Sequence, residues 1–379
     1  RLEFDSVVWR SAYGSVSPRA SAFPGPSVVL PFFAKMLLSD FDYDLPEELI
    51  AQQPLEQRDA SRMLLVDRNE GAWKDSEFRR LPDYIRQNDV IVVNNTRVFP
   101  ARLVGRRDPT GGRVEVLLTR EIEPNIWEAL VRPAQRLKIG ARLRFGDSRA
   151  EILDWSTSGL RQLRFDAPMA QLLDTLGQTP LPPYIKRPKG TSPAAWNDRE
   201  RYQTIYARER GAIAAPTAGL HFTPEVTNEL EARGARLVEI TLHVGYGTFE
   251  PVRVEHVEDH HVDSEFIQIR EDAARAINEG RAAGGRVIAI GTTTTRALES
   301  ALNDEGKVIA TAGKTELTIL PGYKFRITDA LLTNFHLPRS SLLLLVAAFA
   351  GRDLTLKAYR HAVMERFRFY SYGDCMFVI

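Results

Sequence analysis

Residues 286–302 read R-V-I-A-I-G-T-T-T-T-R-A-L-E-S-A-L, the clearest indication of architecture in the chain. Val287 to Ile290 is a short, bulky apolar run, as expected of a strand buried on both faces of a parallel sheet. Gly291 interrupts it, a hydroxyl-rich turn follows over 292–296, and a helix is expected over 297–302. Strand, polar turn and helix form the repeating unit of an α/β protein, and the helix N-terminus makes a cradle for a polar ligand. Capping accounts for one of the four threonines, not for all. Thr293, Thr294 and Arg296 are therefore candidate ligand contacts. The stretch has neither G-x-x-x-x-G-K-[ST] nor G-x-G-x-x-G, so neither a triphosphate nor a dinucleotide is implied.

The same arrangement recurs outward along the chain. The apolar run 90–93 ends in Asn94-Asn95-Thr96-Arg97, the run 235–242 in His243-Val244-Gly245-Tyr246-Gly247, and the run 330–333 in Asn334-Phe335-His336. Open α/β sheets place their ligands at the carboxyl ends of strands. A further loop, residues 211–224 (G-A-I-A-A-P-T-A-G-L-H-F-T-P), is rich in small residues and holds Thr217, Gly219 and His221. It feeds a helix expected over 226–233, with Thr223 as N-cap and Pro224 as first helical residue. Turn chemistry is the competing reading of each polar cluster. Asn95, Arg97, Thr217, Gly219, Gly245, Gly247 and Asn334 join the candidate binding residues. Together they suggest one pocket for a polar, adenosine-like ligand.

Between residues 101 and 165 the texture changes. Six short alternating runs separated by Gly- or Pro-bearing turns suggest a small antiparallel barrel. Shorter helices are expected over 45–51, 169–176, 272–281 and 359–368, and the run 341–350 fits a buried strand or a core helix. The segment 180–188 is stiffened by proline and carries Lys186 and Arg187; the mix at 198–208 carries Arg201, Tyr202, Tyr206 and Arg208. Arg beside Tyr suits phosphate contact and base stacking, with a solvated helix face as the alternative.

Composition narrows the class. The 379 residues suffice for two domains, and a net charge of +1 advertises no global field for nucleic acid, so an RNA partner needs a local patch. The single Cys375 excludes a disulfide framework and fits a reducing compartment. No apolar run reaches membrane-spanning length. Residues 1–35 are rich in Ser and Pro without periodicity; they are expected to be disordered sequence upstream of a protein starting at Met36, a transit peptide being the rival. The cluster His256, His260, His261, Asp263 and Glu265 has metal-ligand chemistry but no metal-site spacing, and no metal is expected.

From Met36 onward the chain resembles the S-adenosylmethionine:tRNA ribosyltransferase-isomerases, enzymes of queuosine synthesis. The resemblance rests on the order of FDYDLPEELIAQQPLEQRDASRML from Phe41, NNTRVFPARL from Asn94, LPPYIKR from Leu181, ERYQTIYA from Glu200, AAPTAGLHFTPE from Ala214, LHVGYGTFEPV from Leu242, GTTTTRALE from Gly291, TNFHLPRSSLLLLVAAFAG from Thr333 and RFYSYGD from Arg368. The chain departs from the family's pattern at Val262 and Asp263, where the family has Met and His. That favours His260 or Glu265 for any role an imidazole would have played at position 263.

The resemblance implies a larger three-layer α/β/α sandwich (36–97 and 168–379) with a small antiparallel β-barrel (98–167) inserted. It implies transfer and isomerisation of the ribosyl unit of S-adenosylmethionine onto 7-aminomethyl-7-deazaguanine at the tRNA wobble position. The products would be epoxyqueuosine-tRNA, adenine and methionine. S-adenosylmethionine would be a co-substrate with no resident cofactor, and the enzyme a cytoplasmic monomer without membrane contact. The chemistry needs a base beside the sulfonium, for which His221, His243 and His336 are candidates, and an acid for the leaving adenine, for which Glu299 and Asp374 are candidates. Arg296 would hold the methionine carboxylate. Lys186, Arg187, Arg201 and Arg208 would hold tRNA phosphates, and Tyr202, Tyr206 or Phe222 would stack on the flipped base. The alternatives are a tRNA- or adenosine-binding protein lacking transfer activity, and a nucleosidase that needs no RNA.

Overall fold

The structure, a computed structural model, describes residues 35–155, 159–188, 196–249 and 251–379. The expectation for residues 1–34 lies outside the described residues. The first strands are β1 (Arg62–Asp67), β2 (Ala72–Glu77), β3 (Val90–Asn94) and β4 (Thr96–Val98). Six more follow: β5 (Arg102–Asp108), β6 (Arg113–Glu123), β7 (Ile126–Arg132), β8 (Arg142–Phe145), β9 (Ser148–Trp155) and β10 (Arg161–Phe165). Helices α1 (Met169–Leu176) and α2 (Asp198–Arg201) lead to β11 (Glu209–Ala212), α3 (Pro224–Ala232), β12 (Arg236–His243), β13 (Glu265–Ile269), α4 (Glu271–Ala282) and β14 (Val287–Ile290). The chain ends with α5 (Thr292–Ser300), β15 (Thr311–Thr315), β16 (Ala330–Asn334), α6 (Ser341–Ala350), α7 (Arg352–Met364) and β17 (Cys375–Val378).

One large mixed sheet runs β15-β13-β12-β3-β14-β16-β17-β1-β2. Its centre, β12-β3-β14-β16, is parallel, and the outer pairings are largely antiparallel. Strands β3, β14, β16 and β17 are buried at every residue, which is why they read as apolar runs, broken only at the carboxyl ends of β3 (Asn94) and β16 (Thr333, Asn334). Alternate residues face opposite layers. Val90, Val92, Val287 and Ala289 pack with α4 to α7, while Ile91, Val93, Ile288 and Ile290 pack with α3 and the 3-10 turn Phe78–Tyr84. This is the expected three-layer sandwich. Strands β5 to β10 close into an antiparallel barrel in the order β10-β7-β6-β5-β8-β9, with its own core. The parallel pair β4 and β11 lies where the chain enters the barrel and where it returns.

Several element boundaries depart from expectation for identifiable reasons. The helix α5 begins at Thr292, five residues before the expected start. Gly291 takes the N-cap position at φ 93°, a conformation that favours glycine. The Thr294 and Thr295 hydroxyls donate to the carbonyls of Ile290 (2.7 Å) and Gly291 (3.1 Å), four residues back, so both threonines are satisfied inside the helix. Residues 341–350 form a helix. It is apolar on all sides because it is buried, with the Ser340 hydroxyl accepting from Leu343 N–H. Helix α7 occupies 352–364 in place of the expected 359–368, and the segment 45–51 contains only the turn Glu47–Leu49. The Thr223 cap on α3 is formed, its hydroxyl accepting from Val226 N–H.

Candidate active site

A cavity of about 1110 Å³ opens between the barrel and the carboxyl ends of β12 and α6's N-terminus. The barrel side contributes Phe99, Trp127 and the Arg120–Glu128 ion pair, and the sheet side His243, His260, Glu265 and Arg296. Of the expected site residues, His243, Gly245, Gly247 and Arg296 meet here.

His243 closes β12 and is half-buried. Its Nδ1 lies 2.7 Å from the Thr96 hydroxyl, and its ring stacks on Phe266 at 5.5 Å between centroids. The Thr96 hydroxyl also lies 3.4 Å from the Glu209 carbonyl. One proton arrangement satisfies both contacts: Thr96 donates to the carbonyl, Nδ1–H donates to Thr96, and Nε2 keeps a free lone pair. Burial lowers the imidazole pKa, and the Glu209 carboxylate opposes that shift only in part, so the ring is neutral at neutral pH. Close packing fixes it, since a Cβ on Gly211 would fall 2.6 Å from Nε2. His260 is a second neutral imidazole on the same wall, 2.7 Å from the Ser341 hydroxyl, its pKa also lowered mainly by burial.

Arg296 lines the cavity with its charge already matched. Its Nη1 lies 2.5 Å from Glu265 Oε2, its Nε–H donates to the Leu317 carbonyl (3.0 Å), and the two side chains are 9% and 3% exposed. Glu265 also accepts from Gly245 N–H at 3.0 Å. The expectation that Arg296 holds a substrate carboxylate meets a guanidinium already engaged: Nη1 is held by Glu265, and Nε and Nη2 face the carbonyls of Leu317 and Asp263 (3.5 Å). Asp263, exposed on the cavity wall, packs so closely on Gly247 that a Cβ there would meet its carboxylate. Sequence reasoning missed Phe99, Trp127 and Arg120, whose approach to the sheet depends on how the barrel docks.

The remaining candidates lie elsewhere. His221 is buried, its Nδ1 3.0 Å from Ser61 Oγ and its Nε2 3.3 Å from the Asn334 amide, and burial pulls its pKa to about 4. His336 is buried against the Thr333 hydroxyl at 2.8 Å, its pKa pulled to about 3 by burial. Glu299 accepts from the amides of Arg326 (2.9 Å), Ile327 (3.3 Å) and Thr328 (3.0 Å), and Asp374 from those of Arg62 (3.0 Å) and Arg368 (2.8 Å). Both carboxylates hold loops together and neither lines the cavity. Asn95 joins Glu239 and Thr241, Thr293 and Thr294 are buried in α5, and Gly219 packs under the Tyr206 hydroxyl beside Thr217 on the same turn. Arg97 is exposed, 3.4 Å from the Ala207 carbonyl.

The proposed RNA contacts divide in the same way. Lys186 pairs with Glu47, Arg187 with Asp198 through two contacts of 2.7 and 2.9 Å, and Arg208 with Glu239. Tyr202 and Phe222 are wholly buried and Tyr206 nearly so; none presents a ring to a base, which corrects the stacking expectation. Among the described residues no group of three or more His, Cys, Asp or Glu side chains is placed to hold a metal, and no helix is long and apolar enough to cross a membrane.

Comparison with known proteins bears on this geometry. A family model described as queuosine biosynthesis protein matches residues 38–378. Proteins called S-adenosylmethionine:tRNA ribosyltransferase-isomerase from Desulforamulus reducens and Natranaerobius thermophilus are each 48% identical over 348 residues. These alignments cover 91% and 90% of this chain and 100% and 99% of the relatives. The crystal structure of S-adenosylmethionine tRNA ribosyltransferase from Thermotoga maritima is 37% identical, with a TM-score of 0.51, covering 90% of this chain and all of that one. With the match running through both the sheet and the barrel, the chain belongs to the queuosine biosynthesis protein family.

Proposed function

We propose that this chain is an S-adenosylmethionine:tRNA ribosyltransferase-isomerase and that its reaction takes place in the cavity between barrel and sheet. The observation that carries the siting is the cavity itself. Its 1110 Å³ exceeds the range usual for one small ligand and leaves room for a flipped base beside S-adenosylmethionine. The sulfonium acidifies the C–H bonds of the ribose carbon attached to sulfur. His243, neutral and with Nε2 free, takes that proton. The aminomethyl group of the 7-deazaguanine receives the ribosyl unit, which closes to the epoxy-cyclopentanediol as adenine and methionine leave. Trp127, backed by Phe99 at 5.8 Å between centroids, supplies aromatic surface for the base. Arg210 and Lys314, exposed on the cavity wall, supply the positive charge for the methionine carboxylate. S-adenosylmethionine serves as co-substrate, no resident cofactor takes part, and the work is done in the cytoplasm by a monomer.

The test is turnover of S-adenosylmethionine with tRNA carrying the aminomethyl-deazaguanine, following adenine and the modified nucleoside by mass spectrometry. Adenine release that depends on the tRNA, lost by about 100-fold or more in His243→Ala with tRNA affinity retained, is expected. Release without tRNA would mean a nucleosidase. Tight tRNA binding without release would mean a binding protein. A near-native rate in His243→Ala would exclude the imidazole base.

A further inference from the structure

A second, much smaller cleft lies apart from the cavity and shares no lining residue with it. It measures about 20 Å³ and is walled by Arg58, Arg201, Ser61, His221 and Tyr372. That is room for an oxygen atom or two, not for a nucleoside. Its two cationic walls, Arg58 and Arg201, have no carboxylate against them among the described residues. Arg58 donates to the carbonyls of Gln203 (2.8 Å), Leu220 (3.2 Å) and Glu200 (3.2 Å). Arg201 donates to those of Glu56 (3.1 Å) and Leu55, and Arg368 to that of Gln53. Carbonyls orient a guanidinium without cancelling its charge, and among the described residues none of the three arginines pairs with a carboxylate. The Asp374 carboxylate accepts from the amides of Arg62 and Arg368, and its charge offsets that of Arg368 in part, leaving Arg58 and Arg201 unmatched. Arg201 Nε and Arg368 Nη1 are buried donors with no acceptor among the described residues. The crowding registers in the neighbours: burial first, then the charge of Arg201, lowers the Arg58 pKa, and Arg58 and Arg368 both depress His221.

The contrast within one segment sharpens the point. Lys186, Arg187 and Arg208 are each matched by a carboxylate, while Arg201, between them in sequence, is not. We infer that the cleft is an oxyanion subsite that receives a phosphodiester oxygen of the tRNA backbone, with Arg58 and Arg201 as its donors. The inference rests on the proposed function for the identity of the RNA. A backbone phosphate presents bare oxygens of the size this cleft admits. The methionine carboxylate of S-adenosylmethionine would need the whole molecule beside it, and the large cavity lies elsewhere.

The test measures tRNA affinity between 50 and 200 mM salt, without S-adenosylmethionine, for the unaltered protein, Arg201→Gln and Arg201→Lys, with folding checked by circular dichroism. Losing one phosphate contact lowers the slope of log K against log salt by about 0.7–0.9, which changes the ratio of affinities across that range by about threefold. Arg201→Gln should show that loss, Arg201→Lys should largely keep the slope, and KM for S-adenosylmethionine should be unchanged in both. Should Arg201→Gln fail to fold, the unaltered protein still answers. A methylphosphonate scan of the anticodon stem-loop should then find one neutralised position with a comparable loss, and a scan with no such position overturns the inference. An unchanged slope in folded Arg201→Gln overturns it also. An unchanged slope with a raised KM for S-adenosylmethionine would assign the cleft to the methionine carboxylate instead. Absent tRNA binding by the unaltered protein would remove the proposed function itself, whereas salt-dependent binding indifferent to Arg201 removes only this subsite.

Discussion

Glu265→Gln isolates the charge of one buried ion pair. The amide keeps an oxygen for Gly245 N–H and nearly the same volume, so what is lost is the negative charge facing Arg296. Both side chains are under 10% exposed, and a guanidinium stranded there costs about 3–5 kcal/mol. Unfolding entropy of about 2.1 cal/mol/K per residue, over the roughly 340 residues of the unit 36–379, gives about 0.7 kcal/mol/K. The melting temperature should therefore fall by roughly 4–7 °C. Calorimetry without substrates measures this directly. The double variant Glu265→Gln/Arg296→Met removes both charges and should recover most of the loss, because an uncompensated charge, not a missing attraction, is the cause. A single variant melting within about 1 °C of the unaltered protein, or a double variant less stable than the single, would show that no stranded charge is at work.

Gly211→Ala places a methyl 2.6 Å from His243 Nε2; it should cut kcat by on the order of 100-fold while leaving tRNA affinity intact, as single-turnover and binding assays would show. His221 and His336 have folded pKa values of about 4 and about 3, below the unfolded value near 6.5. The unfolded chain then binds more protons between those limits, so their contribution to stability is full above pH 6.5 and is lost as pH falls toward 4 and 3. At pH 5 unfolding should take up about two more protons than in a His221→Gln/His336→Gln variant, read from the pH slope of urea-unfolding free energies. Thr223→Ala removes the α3 cap and should cost about 1 kcal/mol in denaturant stability with no change in turnover.

The sequence carried the sheet well because β3, β14 and β16 are buried on both sides and are apolar until their carboxyl ends. Barrel strands were legible for the opposite reason, since alternation marks a face turned inward. Helix α7 was harder to place: its first turn, Arg352-Asp353-Leu354-Thr355, carries little apolar signal. The site was legible by residue type and illegible by pairing. Whether an arginine is free depends on a carboxylate far along the chain, Glu265 for Arg296 and Glu239 for Arg208, both 31 residues away. Glu265 itself left a trace, since it shares an inward face with Ile267 and Ile269. The sorting of three histidines into one lining the cavity and two away from it left none, because residue type alone does not say which space a loop or strand end faces.

The parallel pair β4 and β11 has a consequence for how the chain is put together. Thr96 lies opposite Glu209 and Val98 opposite Ala212, so the two ends of the segment carrying the barrel sit a strand's width apart, about 5 Å. The Gln203 amide fastens them further, accepting from Val98 N–H at 3.1 Å and donating to Val98 O at 2.7 Å. To the sheet, everything between is one tied loop. The entropy of closing a loop grows only with the logarithm of its length, about 0.6 kcal/mol for each doubling. The barrel can therefore be lengthened or trimmed at its far hairpins with little cost to the sheet, and the parent fold tolerates change there far better than at the knot.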